Sequence, residues 1–206
     1  MQVQYSSSSS EGSVRDAADV AAVRATIDVI SASGTSTYPQ DSVLGDQPFA
    51  VTSSTTDPKS VAPSTRKYLR QLTRSANSAA ASLACGSILA GHTSETDEYG
   101  DVAFWVGSGE YSPGRELDLL SSLGLEHMVG QIQEVKISPD TGLPITVHTP
   151  AETNPAVSRV RELLSSLQDV RIFSVNNDPC VYLLFGRYHS EDQSGFAGLL
   201  GLGVQS

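Results

Sequence analysis

The last forty residues constrain the fold more than any other stretch. The run "VRIFSV" meets the turn "NNDP", the run "CVYLLFGRYH" meets the turn "SEDQSG", and the chain then continues as "FAGLLGLGVQS". Asn, Asp, Pro, Ser and Gly break an extended chain, while β-branched and aromatic residues fill it. Two short turns between three such runs therefore predict an antiparallel three-stranded meander.

Upstream the pattern alternates between strand and helix. "DVAFWVG", beginning at Asp101, reads as a short apolar strand with Trp105 in its core. "SPGRELDLLSSLG" has Pro113 near a helix start, Leu117, Leu120 and Leu123 at inward spacing, and Gly124 as a stop. "GQIQEVKIS" alternates Ile132, Val135 and Ile137 imperfectly, as a strand at a sheet margin does. Asn154 and Pro155 open a helix with Val160, Leu163, Leu164 and Leu167 on its inner side.

Ser64 or Thr65 is placed to cap another helix running to about Ala84, with Tyr68, Leu69, Leu72, Ala76, Ala79 and Leu83 facing inward. Arg66, Lys67, Arg70 and Arg74 line its start; they read as a solvated face that pairs with nearby acids. Residues 14–31 form an amphipathic helix through Val20, Val23, Ile27 and Ile30. Residues 1–12 are a serine-rich tail expected to be disordered, and 13–63 combine that helix with a Gly/Pro/Ser-rich linker carrying a possible short strand, "PFAVT". Residues 64–206 are expected to form an α/β (α+β) domain, a layered sandwich with a mostly antiparallel sheet and flanking helices.

Charge narrows the function. The net charge is −10, and residues 1–91 balance seven acids against seven bases, so the whole excess lies in residues 92–206. Phosphate backbones are held by clustered Lys and Arg, so direct nucleic-acid binding is not expected; a protein partner with a basic surface is. No apolar run is long enough for a membrane span, and the start has neither the basic nor the apolar region of a secretory signal, so a cytoplasmic setting is expected. Cys85 and Cys180 are expected as reduced, buried thiols.

Catalytic and metal motifs are missing. His92, His127, His148 and His189 stand apart from one another and from both cysteines, without zinc-ligand spacing. "GSGEYSPG" lacks the Lys and Ser/Thr that complete a phosphate loop. The carboxylates Glu95, Asp97, Glu98 and Asp101 crowd into seven positions, as do Glu191 and Asp192 in the last turn, but neither set has the calcium-loop pattern. The first set reads either as a solvated loop or as a negative surface for a positive partner.

The order of these pieces carries a resemblance. An acidic "SETDEY" runs into "DVAFWVG"; "HTPAETNPAVSRVRELL" follows; "CVYLLFGRYH" and a terminal "FAGLLGLGVQS" close the chain. Over residues 65–206 this resembles the nuclease A inhibitor family, small acidic α/β proteins that block sugar-nonspecific, metal-dependent nucleases. The resemblance implies inhibition by occupying the nuclease active site, with no catalytic residue and no cofactor or metal of its own. It implies partner contacts from Glu95, Asp97 and Glu98 in the acidic turn, Glu152 in the second loop, and Ser206 at the chain end. Glu95 and Ser206 would face the partner's metal. The chain departs from the family at Thr153, where an aromatic is usual, in its "LGLGVQS" ending, and in the sixty residues before the domain. A non-inhibitory interaction module on the same fold, and an enzyme with an unrecognised pocket, are the alternative expectations.

Overall fold

The computed structural model describes residues 10–32, 44, 49–53, 56–94, 98–128, 130–147 and 154–204, with backbone alone for 10–19 and 32. Among these residues four α-helices and six strands succeed one another as α1 (Ser10–Ala32), β1 (Ala50–Thr52), α2 (Pro63–Ser82), β2 (Val102–Gly107), α3 (Glu116–Ser122), β3 (Gln131–Glu134), α4 (Pro155–Leu164), β4 (Leu167–Asn176), β5 (Cys180–His189) and β6 (Ser194–Gly203). The strands form one sheet in the order β1-β2-β6-β5-β4-β3. Only the β1–β2 pair is parallel; β2–β6, β6–β5, β5–β4 and β4–β3 are antiparallel. The C-terminal meander is thus β4-β5-β6, and "GQIQEVKIS" supplies the edge strand β3, both as the sequence pattern requires. The arrangement is α+β, with a mixed, mostly antiparallel sheet.

Period-2 alternation divides the apolar residues between two faces. On β2, Ala103 and Trp105 join one buried cluster while Val102, Phe104 and Val106 join the other. On β5, Tyr182 and Leu184 fall in the first cluster and Val181, Leu183 and Phe185 in the second. The first face is covered by α2 and α4, through Tyr68, Leu69, Leu72, Val160 and Leu163. The second is covered by α1 and α3, through Val23, Ile27, Ile30, Leu119, Leu120 and Leu123. Strands buried on both sides must read as near-continuous apolar runs, and "CVYLLF" and "AFWV" do.

Trp105 is fully buried, as its place in the strand predicted. Its ring meets the Tyr188 ring edge-on at 6.3 Å, and Tyr188 stacks on Tyr68 at 4.2 Å. The Tyr68 hydroxyl donates to Leu163 O at 3.1 Å, joining sheet, α2 and α4 in one aromatic column. Burial pushes the Tyr68 phenol well above its ordinary range. Cys85 and Cys180 are buried and unbridged.

Local sequence readings are revised at several points. The α2 helix begins one residue before Ser64: Ala62 is its N-cap and Pro63 its first residue, because proline lacks the N–H that position leaves unpaired. Two members of the basic stripe of α2 have partners other than acids. The Arg66 guanidinium donates to Val61 O at 2.9 Å and Pro58 O at 2.6 Å, and Arg70 lies 4.3 Å over the Phe49 ring. Leu167 starts β4 instead of extending α4. Leu117 was expected inside and is 69% exposed. The α3 helix packs through Leu119, Leu120 and Leu123, and at about 100° per residue Leu117 lies roughly 115° from the centre of that stripe.

The α1 helix is tied to the sheet. Its Thr26 hydroxyl, fully buried, donates to Gly100 O at 2.6 Å, and Gly100 N–H donates to Ala22 O at 3.1 Å. "PFAVT" supplies β1, and Thr73 of α2 anchors both neighbouring strands: its hydroxyl donates to Phe49 O and accepts from Ala103 N–H at 2.9 Å. Among the described residues no helix is long and apolar enough to cross a membrane.

Candidate functional site

Where β2 begins and β6 ends, a single buried carboxylate organises the chain. Asp101, placed by sequence among the crowded acids, has no exposed surface. It therefore cannot belong to a negative surface. Its carboxylate accepts from Ser87 Oγ at 2.7 Å, Ile88 N–H at 2.6 Å and Leu89 N–H at 3.4 Å. Its backbone is held by Asn77 of α2, which donates to Asp101 O at 2.8 Å and accepts from Asp101 N–H at 3.1 Å. Ser87 in turn caps the helical turn after it, accepting at Oγ from Leu89 and Ala90 N–H, both at 3.2 Å.

No ion pair among the described residues involves Asp101. Desolvation pushes its carboxyl from 3.8 up to about 6, against the bonds from Ser87, Ile88 and Leu89, which favour the charge. Room for the assembly comes from β6. A Cβ at Gly201 would collide with the Ser87 hydroxyl and the Asp101 carboxylate, and one at Gly203 would lie 2.8 Å from the Ala90 Cβ.

The turn that Asp101 holds leads directly into the predicted contact loop. From Ser87 the chain runs through the helical turn Gly91–Thr93 to Ser94, and Ser94 Oγ accepts from Val204 N–H at 3.2 Å. His92 N–H donates to Thr146 O at 3.2 Å, and Gly91 (φ +60°) lies so close that a Cβ there would be 2.8 Å from the same carbonyl. The His92 ring reaches Leu83 O at 3.0 Å, while Asn154 donates to Ser82 Oγ at 2.9 Å. Asn154 also caps α4, accepting from Ala156 and Val157 N–H at 2.9 and 3.3 Å.

Ser94, Thr146, Asn154 and Val204 thus belong to one connected set of contacts built around Ser82–Ser94. Of the predicted contact residues, Glu98 is exposed, whereas Glu95, Asp97, Glu152 and Ser206, like Thr153, lie outside the described residues. What the structure brings together are the residues on either side of them: Ser94 beside Val204, His92 beside Thr146, and Asn154 on the end of α2.

Among the described residues little else has the geometry of a reactive site. Among the described residues no group of three or more His, Cys, Asp or Glu is placed to hold a metal ion. His189 Nδ1 lies 2.7 Å from Ser194 Oγ, but the two are cross-strand partners at the exposed end of the β5–β6 hairpin. The sequence missed Asp101 as an organiser. The signal was its position, one residue before an apolar strand and directly after Gly100, where a side chain points into the sheet end and not into solvent.

The chain matches no known protein-family model, no curated protein and no solved structure.

Proposed function

We propose that this chain is an acidic protein-binding domain that inhibits a sugar-nonspecific, metal-dependent nuclease by occupying its active site. The reading starts from the resemblance carried by "SETDEY", "TPAET" and the chain end, with Glu95, Asp97, Glu98, Glu152 and Ser206 as contacts. The observation that favours it most is the bond from Val204 N–H to Ser94 Oγ at 3.2 Å, which sets the residue before Glu95 beside the residue two before Ser206. The link from His92 to Thr146 adds the segment that leads to the second loop.

Physical chemistry supports the pairing. A nuclease groove shaped for phosphates is basic, and the excess of −10 in residues 92–206 would steer encounter, speeding association roughly 10–10³-fold at low salt. Exposed ion pairs contribute only about 0–1 kcal/mol each, so tight binding needs a few desolvated contacts at the partner's metal. The contact residues would supply these. The test is Glu95→Ala, measured as nuclease binding and as melting temperature. Weakened binding with an unchanged melting temperature supports the assignment; unchanged binding removes it.

A further inference from the structure

The edge strand β3 carries a second interaction surface, remote in sequence from the contact loops. Strand β3 pairs with β4 in the register Gln131↔Asn176, Ile132↔Val175, Gln133↔Ser174 and Glu134↔Phe173, and Val135 N–H donates to Ile172 O at 3.1 Å. In an antiparallel ladder, bonded and non-bonded positions alternate. Gln131, Gln133 and Val135 therefore point their backbone groups at β4, and Ile132 and Glu134 point theirs away from the sheet. The sheet order ends at β3, and among the described residues no strand pairs with that edge. Open edges of this kind template a further strand.

The side chains of Ile132 and Glu134 both look onto a trough between α3 and the β3–β4 pair. One half is mostly apolar, a cavity of about 360 Å³ lined by Leu120, Leu125, Met128, Ile132 and Val175, with the exposed Leu117 and the carboxylates of Asp118 and Glu126 also in its lining. The other half, about 130 Å³, is bounded by Glu116, Glu134 and Arg171. Arg171 there is already committed, bonded to Glu116 Oε1 at 3.0 Å and lying 5.0 Å over the Phe185 ring. Glu134 is exposed and joins no ion pair among the described residues. The trough thus offers a mostly apolar half and a negative half, along a strand whose outward N–H and C=O groups at Ile132 and Glu134 have no partner among the described residues; two residues on, Lys136 O accepts from Ile145 N–H at 3.0 Å.

We infer that β3 accepts an extended segment of a protein partner as a seventh strand, with an apolar residue of that segment opposite Ile132 and a Lys or Arg opposite Glu134. Strand addition gains affinity from main-chain bonds and specificity from alternate side chains. In antiparallel addition the side chains facing Glu134 and Ile132 come from partner positions two apart, the one facing Glu134 first, so the recognised pattern read from N to C is basic-x-apolar. A second copy of this chain fits poorly. In the register that sets Glu134 opposite Ile132, it brings a second Glu116 and Glu134 to a trough whose lining cation, Arg171, is already paired; the register that would set Glu134 opposite Lys136 needs the Lys136 carbonyl, which already accepts from Ile145 N–H at 3.0 Å.

The test uses the full ¹⁵N-labelled chain and two synthetic peptides, acetyl-Ser-Thr-Lys-Thr-Leu-Thr-Ser-amide and the same peptide with Glu for Lys. On titration to millimolar peptide, the Lys peptide should shift the amide signals of Ile132 and Glu134 and bind roughly two- to fivefold more tightly than the Glu peptide. Glu134→Lys, an exposed change that leaves the bonds to β4 in place, should reverse that preference. Leu117→Ser should weaken both peptides without altering the melting temperature. The inference is overturned if neither amide shifts, if the shifts centre on Glu98–Gly100, or if Glu134→Lys leaves the preference unchanged. Concentration-dependent self-association through these two amides would also overturn it, in favour of a homodimer.

Discussion

Replacing Asp101 by Asn isolates the cost of one buried charge. In the folded chain the carboxyl is pushed up to about 6 from 3.8, because burial outweighs three hydrogen bonds. The sign follows from linkage. A folded pKa above the unfolded one means that the folded state holds its proton over a range where the unfolded state has released it. Stability from this group is therefore greatest below about pH 4, declines as pH rises to about 6, and is level above that. Two units correspond to on the order of 3 kcal/mol. Asn keeps the shape, and its Oδ1 can still accept from Ile88 N–H, but it carries no charge; the bond it loses to Ser87 adds a cost that does not change with pH. Urea unfolding of both proteins from pH 3.5 to 8 gives the difference in stability at each pH, cancelling the titration of every other group. That difference should move on the order of 3 kcal/mol in favour of the Asn form between pH 4 and 7. A difference that is flat, or that favours the native Asp as pH rises, would show that the bonds from Ser87, Ile88 and Leu89 outweigh desolvation and that the carboxylate stabilises the turn by its charge.

Two further substitutions probe the frame that carries the site. Trp105→Ala removes the sheet end of the aromatic column and should cost about 3–5 kcal/mol in chemical unfolding. Thr26→Val removes the hydroxyl bonded to Gly100 O at similar volume and should cost about 1–3 kcal/mol, with faster hydrogen exchange in α1 than in β5.

The sequence announced the elements whose signals are local. "NNDP" and "SEDQSG" mark the turns of the β4-β5-β6 meander, and "DVAFWV" and the inward stripe of α2 follow period-2 and period-3.6 patterns that burial enforces. Strand order was not written locally. The last strand, β6, inserts between β2 and β5, and the chain crosses from β2 to the far edge at β3; such pairings are chosen by tertiary packing. The three-residue β1 is too short to show a period, and its parallel place beside β2 is fixed with help from Thr73 of α2, which bonds Phe49, the residue before β1, and Ala103 of β2. Leu117 has the spacing of a core residue, yet it stands on the rim because the packed stripe of α3 runs through Leu119. Asp101 shows the same limit in reverse. It sits among surface acids in the sequence and is the most buried of those described, since Gly201 of a strand a hundred residues away leaves the space for it.

The most direct test of the proposed function is a titration of the purified full chain against a Mg²⁺-dependent, sugar-nonspecific nuclease, with DNA cleavage as the readout. Inhibition predicts that cleavage falls stoichiometrically and ceases at equimolar chain, that the rate of onset slows as salt is raised, and that Glu95→Ala shifts the curve to higher concentration. Cleavage that continues undiminished at micromolar chain would contradict it.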